Sequence, residues 1–252
     1  MMVFLYIPNI IGYLRFVALF ASFFTYQDNP ILTVILYGTS QALDAFDGMA
    51  ARKFNQCSRF GAVLDMVCDR ASNGVFLAIL AAKIPQYSWI FLSDIALDLV
   101  SHWYQMYVSL LKGAHHKKSK SKYALLNLYY DSKFVLFTLV LGNEMFLLSA
   151  YLIACGDMIF LPSFGVYFIN ICFAIGVILF AIKKLMSIIQ LISASEMLVE
   201  MELEEQKEQA GKTSDSEKEK IKEKWFINIL WFFMILINKS YQLIIWRQIT
   251  QS

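Results

Sequence analysis

The chain has 252 residues, of which 58% are hydrophobic, 15% aromatic and 17% charged, with a mean hydropathy of +0.53. Soluble domains average roughly 45–50% apolar and about 25% charged, so this composition excludes an ordinary soluble enzyme and a disordered protein and identifies an integral membrane protein. The net charge of +2 conceals an uneven split, because residues 195–224 hold ten acids and six bases, leaving the apolar body about +6 and the acidic tail −4.

A bilayer core about 30 Å thick takes roughly 20 helical residues to cross. Six apolar blocks meet that need, at 7–26, 30–53, 59–83, 87–111, 132–155 and 163–194. They predict an all-α, polytopic membrane protein: a six-helix transmembrane bundle with a helical or disordered C-terminal extension. The first block is read as a span and not as a signal peptide, since no basic n-region precedes it and no cleavage site follows.

Loop charge sets the orientation. Arg52, Lys53 and Arg59 lie between the second and third blocks, and Lys112, Lys117, Lys118, Lys120 and Lys122 with His115 and His116 between the fourth and fifth. The opposite loops carry only Asp28, Lys83 and Asp157. Both basic loops, the N-terminus and the acidic tail are therefore expected in the cytosol, a parity that six spans satisfy. The expected domains are a membrane domain at 1–195, an acidic linker at 196–224 and an apolar segment at 225–252. In that last segment the run 225–237 is short for a span, and Asn238, Lys239, Ser240 and Gln242 follow it. An interfacial helix is favoured over an extra span. Cys57, Cys68, Cys155 and Cys172 form no CxxC or Cys/His cluster, so neither a zinc site nor a disulfide framework is predicted.

The chemistry concentrates at one helix–loop–helix. Asp44 and Asp47, spaced i, i+3, share a face at the end of the second helix, and Asp65 and Asp69, spaced i, i+4, share one near the start of the third. A short connection makes these helices antiparallel neighbours, so both pairs lie at one depth and can converge. Four carboxylates in one partly buried place repel one another and resist ionisation, and a membrane-embedded acid costs at least about 2.5–3.5 kcal/mol. Two divalent cations with hard-oxygen preference balance four negative charges, in the arrangement that clamps a phosphoryl group. Gly48 and Gly61 remove side chains where a ligand or a backbone must come close, and Arg52, one turn past Asp47, offers a fork for phosphate. Loop salt bridges to Arg52, Lys53, Arg59 and Arg70 explain one acid well but not two helical pairs with glycines at set spacing.

Asp44…Asp47-Gly48-x-x-Ala51-Arg52-x8-Gly61-x3-Asp65-x3-Asp69 resembles the full signature of the CDP-alcohol phosphatidyltransferase family. Within the family the chain most resembles the eukaryotic inositol-accepting branch, on Tyr6-Ile-Pro8-Asn9-Ile-Ile-Gly-Tyr13-Leu-Arg15, residues 43–70, Leu97-Asp98-Leu-Val-Ser101-His102-Trp103 and Gly142-Asn143-Glu144. The likeness spans about 1–195.

The resemblance implies six core helices and transfer of the phosphatidyl group of CDP-diacylglycerol to myo-inositol with release of CMP. It implies Mg²⁺ or Mn²⁺, two ions, on Asp44, Asp47, Asp65 and Asp69, with Asp69 also the general base. Asp47, Gly48, Ala51, Arg52 and Gly61 are then expected to line the CDP site. Asn9 and Arg15 match a motif near the nucleotide, although an arginine in an apolar helix also reads as snorkelling to the interface. A homodimer in the endoplasmic reticulum membrane, with its site facing the cytosol, is expected on the same grounds. No nucleic-acid partner is expected.

The acceptor site is less sharply marked. Asp94, Asp98 and His102 form an i, i+4, i+8 stripe in an apolar helix, and such groups usually face the bundle interior. Asp98 and His102 match the family segment and Asp94 does not. A structural Asp–His pair is the competing reading. Lys133 and Lys183 are candidate cations for the acceptor, Lys183 needing an acidic or phosphate partner, and Glu144 is a candidate partner for it or for Lys184. The same chemistry on serine, glycerol 3-phosphate or an amino alcohol is the first alternative. An ion transporter, the second, would not require the spaced glycines, Ala51 and Arg52.

Overall fold

A computed structural model describes residues 2–115, 121–156 and 163–210. Lys117, Lys118 and Lys120 with His116, the loop acid Asp157, the tail beyond Ala210 and the apolar segment 225–252 lie outside the described residues. The described chain is all-α. Its helices are α1 (Ile7–Thr25), α2 (Pro30–Lys53), α3 (Arg59–Lys83), α4 (Ser88–His115), α5 (Ala124–Asp131), α6 (Lys133–Cys155) and α7 (Ser163–Ala210), with 3₁₀ turns at Val3–Leu5 and Pro85–Tyr87. All six predicted blocks are helices. The short α5 is an addition to the predicted set.

Among the described residues, three segments are long and apolar enough to cross a membrane: Ile7–Thr25, Lys133–Cys155 and Gly165–Lys207. The other long helices, α2, α3 and α4, carry the acidic and basic side chains of the candidate site, which lowers their hydropathy. α1 shows the polarity expected in lipid. Its buried stripe is Pro8, Asn9, Gly12, Arg15, Leu19 and Ser22, while Leu14, Val17, Phe20 and Phe24 are exposed. A soluble helix buries its apolar face; here the polar side chains turn inward and the apolar ones outward.

Local signals fix the helix ends. Asn29 caps α2, its side chain accepting from Leu32 N at 3.1 Å with Pro30 at the first helical position. Ser58 caps α3 by accepting from Gly61 N at 2.9 Å. The five-residue link between α2 and α3 leaves them antiparallel, and Gln56 Oε1 in that link accepts from Ile7 N at 2.8 Å, tying it to the start of α1. Gly156, with φ of +68°, ends α6 in the left-handed conformation.

The described residues fall into two compact units, one of residues 2–102 with 123–189 and the other of residues 103–115 and 121–122 with 190–210. The core of the first is Leu19, Tyr37, Phe76, Leu77, Leu80, Phe146, Leu147, Tyr151 and Phe180, with the Tyr37 and Phe76 rings 4.2 Å apart. α6 and α7 approach closely through glycines. A Cβ on Gly142 would stand 2.2 Å from Leu179 Cβ, and one on Gly176 would stand 2.7 Å from Phe146 N, the small-residue contact that helices in lipid rely on. In the second unit Ser121 and Ser193 share a hydrogen bond at 2.8 Å and Lys122 pairs with Glu196 at 2.5 Å. α7 runs through Ser195 without interruption to Ala210.

Candidate active site

The two helical carboxylate pairs converge as their spacing predicts, and they do so on an arginine. Arg15 Nη1 lies 2.7 Å from Asp44 Oδ1, 3.0 Å from Asp47 Oδ2 and 2.8 Å from Asp65 Oδ1, while its Nη2 lies 2.6 Å from Asp69 Oδ1. The arginine side chain is fully buried, whereas those of Asp44, Asp65 and Asp69 are 41%, 48% and 32% exposed. The acids therefore present one side to the medium and the other to Arg15. Snorkelling to the interface, one of the two readings of this residue, is excluded: Arg15 points inward from α1 and reaches α2 and α3.

The donor set fits a divalent ion. Ligand oxygens of Asp44, Asp47 and Asp65 all lie within 4.8 Å of one another. They are hard, anionic and partly open, the chemistry that Mg²⁺ and Mn²⁺ take. One guanidinium, with Arg70 Nη2 at 3.6 Å from Asp69 Oδ2, leaves four carboxylates short of positive charge.

Beside the cluster is a cavity of about 170 Å³ whose walls include Asn9, Gly12, Asp47, Gly48, Ala51, Gly61 and Asp65. Five of the residues expected at the nucleotide are thus brought together. Arg52 is not in the wall. It is exposed and folds back over Gly48, where a Cβ would meet its Nη1 at 3.6 Å. Asn9 is held from behind, its Nδ2 donating to Val3 O at 2.7 Å, and its Oδ1 is buried without a partner. Gly61 is required there because a Cβ would stand 2.7 Å from that oxygen. Gln56, Cys57 and Ser58 line it as well. All four cysteines are free, and Cys57 is exposed in this wall while Cys68 is buried.

A second polar group adjoins the first. Arg70 Nη1 donates to Asp98 Oδ1 and Oδ2 at 2.9 and 3.0 Å and lies 3.1 Å from His102 Nε2. The stripe on α4 is therefore tied to α3 next to Asp69, and the main partner of Asp98 is Arg70, with His102 Nδ1 at 3.6 Å. Asp94 is not part of that group. Lys184 Nζ stands 2.7 Å from its Oδ1, near enough for an ion pair though not aligned as a hydrogen bond. Glu144 takes hydrogen bonds from Tyr37 at 3.0 Å and Asn143 at 3.2 Å; of its two expected lysine partners, Lys184 pairs with Asp94 instead, and Lys183 is the one whose charge acts on Glu144. Lys183 is 7% exposed; its carbonyl accepts from Ser187 Oγ at 3.2 Å, and its ammonium makes no close ion pair among the described residues, although the charges of Glu144 and Asp98 act on it. Lys133 is exposed at the first turn of α6 and likewise contacts no acid there.

The family profile described as CDP-alcohol phosphatidyltransferase matches residues 5–160. The chain belongs to this family. Among its relatives is the CDP-diacylglycerol–inositol 3-phosphatidyltransferase of Candida albicans, 47% identical over 152 residues, which cover 60% of this chain and 66% of that protein. Proteins of the same name from Schizosaccharomyces pombe and Homo sapiens are 35% and 36% identical, covering 81% and 79% of this chain and 93% and 94% of theirs. No solved structure matches the chain significantly.

Two functional contacts escape the sequence reading. Arg70 figures there only as a loop counter-ion, and Arg15 only as a nucleotide neighbour or snorkelling residue. The signal for Arg15 is the stripe Asn9, Gly12, Arg15, Leu19, Ser22, whose three- and four-residue steps place small and polar groups on one face of α1.

Proposed function

We propose that the chain transfers the phosphatidyl group from CDP-diacylglycerol to myo-inositol, giving phosphatidylinositol and CMP. The observation that carries this reading is the convergence of Asp44, Asp47, Asp65 and Asp69 beside a cavity walled by Asn9, Gly48, Ala51 and Gly61. Relatives that the chain covers almost end to end bear the name of that activity.

Asp44, Asp47, Asp65 and Asp69 would hold two Mg²⁺ or Mn²⁺ ions, which when bound would supply Lewis acidity at the phosphoryl oxygens and at the departing CMP oxygen. The small residues of α2 and α3 let a nucleotide lie against the helices, and Arg52 sets positive charge over Gly48 for its phosphates. Asp69, partly exposed and at the acceptor side, takes the proton of the attacking inositol hydroxyl. The new O–P bond forms at the phosphorus carrying diacylglycerol, and the P–O bond to CMP breaks, CMP leaving with the electron pair. Asp98 and His102, fixed by Arg70, with Lys183 and Lys133, are assigned to the acceptor. Lys183, 7% exposed and without a close ion pair among the described residues, supports that assignment, since hydroxyl oxygens of a polyol would satisfy its ammonium.

The acyl chains stay in the bilayer while inositol arrives from water, which suits a site at the cytosolic boundary of the endoplasmic reticulum membrane. The basic loops give the orientation. On this reading residues 1–195 form the catalytic membrane domain of a homodimer, with 196–224 the acidic linker and 225–252 the apolar C-terminal segment.

The test uses membranes expressing the chain, CDP-diacylglycerol, Mn²⁺ or Mg²⁺, and labelled inositol, serine or glycerol 3-phosphate in parallel. Lipid-soluble label from inositol alone, absent with Asp69→Asn, is the expected result. Label from another acceptor would overturn the substrate and keep the chemistry. No transfer by folded protein from any acceptor would overturn both.

A further inference from the structure

We infer that Arg15 is the built-in counter-ion of the carboxylate cluster, holding it together while no metal is bound and leaving it when metal enters. The inference rests on the reading that these carboxylates take divalent ions. Nη1 lies among oxygens of Asp44, Asp47 and Asp65 at 2.7–3.0 Å, and those acids offer oxygens within 4.8 Å of one another. A divalent ion would need the same oxygens at roughly 2.0–2.6 Å. Two cations cannot share that space, so occupancy is exclusive.

The direction of exchange follows from burial and charge. Arg15 approaches from the protein interior, fully buried, whereas three of the acids are between 32% and 48% exposed on their other side. Ions therefore enter opposite the arginine, without having to pass it. Its backbone is fixed, because Ser40 Oγ donates to Arg15 O at 3.0 Å. Its side chain is not fixed by anything else. Nε is buried without a partner, and the Nη contacts go to the four aspartates alone. Once those oxygens turn to a stronger cation, nothing retains the fork at the cluster. Arg15, even with Arg70 Nη2 3.6 Å from Asp69, leaves four carboxylates underbalanced, which favours replacement by ions of double charge.

Two consequences separate this role from that of a fixed structural arginine. The cluster should stay assembled after chelation, because Arg15 replaces the ions. Arg15 should also weaken metal binding by competition. Where a blocked state dominates the metal-free population, apparent affinity falls by the unblocked fraction. If fewer than about one molecule in ten has the fork withdrawn, removing the fork tightens binding at least about tenfold.

The experiment uses full-length protein in nanodiscs, stripped with EDTA and titrated with Mn²⁺ while free ion is followed by electron paramagnetic resonance. Arg15→Gln is expected to bind Mn²⁺ at least about tenfold more tightly than the unaltered chain, to melt lower after stripping, and to recover most of that loss with Mn²⁺. Arg15→Lys keeps a charge but cannot span both sides of the cluster, so its affinity should fall between the two; it also serves if Arg15→Gln does not survive stripping. Mn²⁺ affinity in folded Arg15→Lys or Arg15→Gln equal to or weaker than in the unaltered chain would overturn the counter-ion role while leaving the metal site in place. Absence of Mn²⁺ binding in the unaltered chain would overturn both.

Discussion

Gly61→Ala sets two effects of opposite sign against each other. Gly61 lies in the first turn of α3, where alanine is favoured over glycine by about 0.8–1 kcal/mol of helix propensity. The added methyl would stand 2.7 Å from Asn9 Oδ1 and 3.1 Å from Ser58 Oγ, so something must move. Asn9 has little room to do so. It is 1% exposed, and its Nδ2 is engaged with Val3 O at 2.7 Å. Overpacking costs about 1–3 kcal/mol, and losing a buried hydrogen bond another 1–3 kcal/mol or so. The clash outweighs the propensity gain, for a net loss of about 1–5 kcal/mol. Because Asn9 and Gly61 are both cavity wall, CMP affinity should fall at least about tenfold, the equivalent of 1.4 kcal/mol. Calorimetric titration of CMP and a thermal melt in detergent give the two numbers. Adding Asn9→Gly should restore the melting temperature but not the CMP affinity. Unchanged melting and CMP affinity in Gly61→Ala would refute the wedge between α1 and α3.

Asp98→Ala leaves Arg70 without its close carboxylate, and the 19% exposure of Arg70 puts the cost near the low end of the 3–5 kcal/mol or so for breaking a buried pair; a melt within a degree of the unaltered chain would contradict it. Lys184→Ala strands Asp94, 5% exposed, and should destabilise by about 3 kcal/mol, with Asp94→Leu/Lys184→Met recovering most of it. Tyr37→Phe removes the donor to Glu144 and should cost about 1–3 kcal/mol in chemical unfolding. Asp69→Asn should lower kcat by about 10²–10⁴ in the inositol assay while CMP still binds; a loss below tenfold would remove Asp69 from the role of base.

The parts of the site that lie on one helix–loop–helix are legible in sequence, because helical spacing alone puts Asp44 with Asp47 and Asp65 with Asp69, and a short link fixes their depth. Contacts between residues far apart in the chain carry no such spacing. Nothing in the neighbourhood of Arg15 names acids 29 to 54 positions away, and the buried stripe of α1 gives only the direction it faces. Lys184 and Asp94 illustrate the same limit. Adjacent lysines at 183 and 184 point about 100° apart on a helix, and only packing decides which of them meets Asp94. α5 is missed for another reason: eight residues between two polar breaks are too few for a period to register.

The polar contacts also answer how this unit holds together. Lipid tails are as apolar as leucine, so apolar faces alone give little drive for helices to associate in a bilayer; close packing of small residues and buried polar links do more. Both devices occur here, and they occupy different places. Gly142 and Gly176 bring α6 onto α7, two helices that meet the length and hydropathy for crossing a membrane. α2, α3 and α4, with charged side chains in their apolar stretches, are joined by ionic and hydrogen-bonded links instead: Arg15 to the four aspartates, Arg70 to Asp98, Lys184 to Asp94 and Tyr37 to Glu144. The helices that carry the chemistry are thus positioned by the same class of charged group that performs it. Changing the charge of the aspartate cluster, by ion binding or by substitution, must then alter how the Arg15 side chain sits between α2 and α3, which is why an arginine and not a neutral residue suits that position.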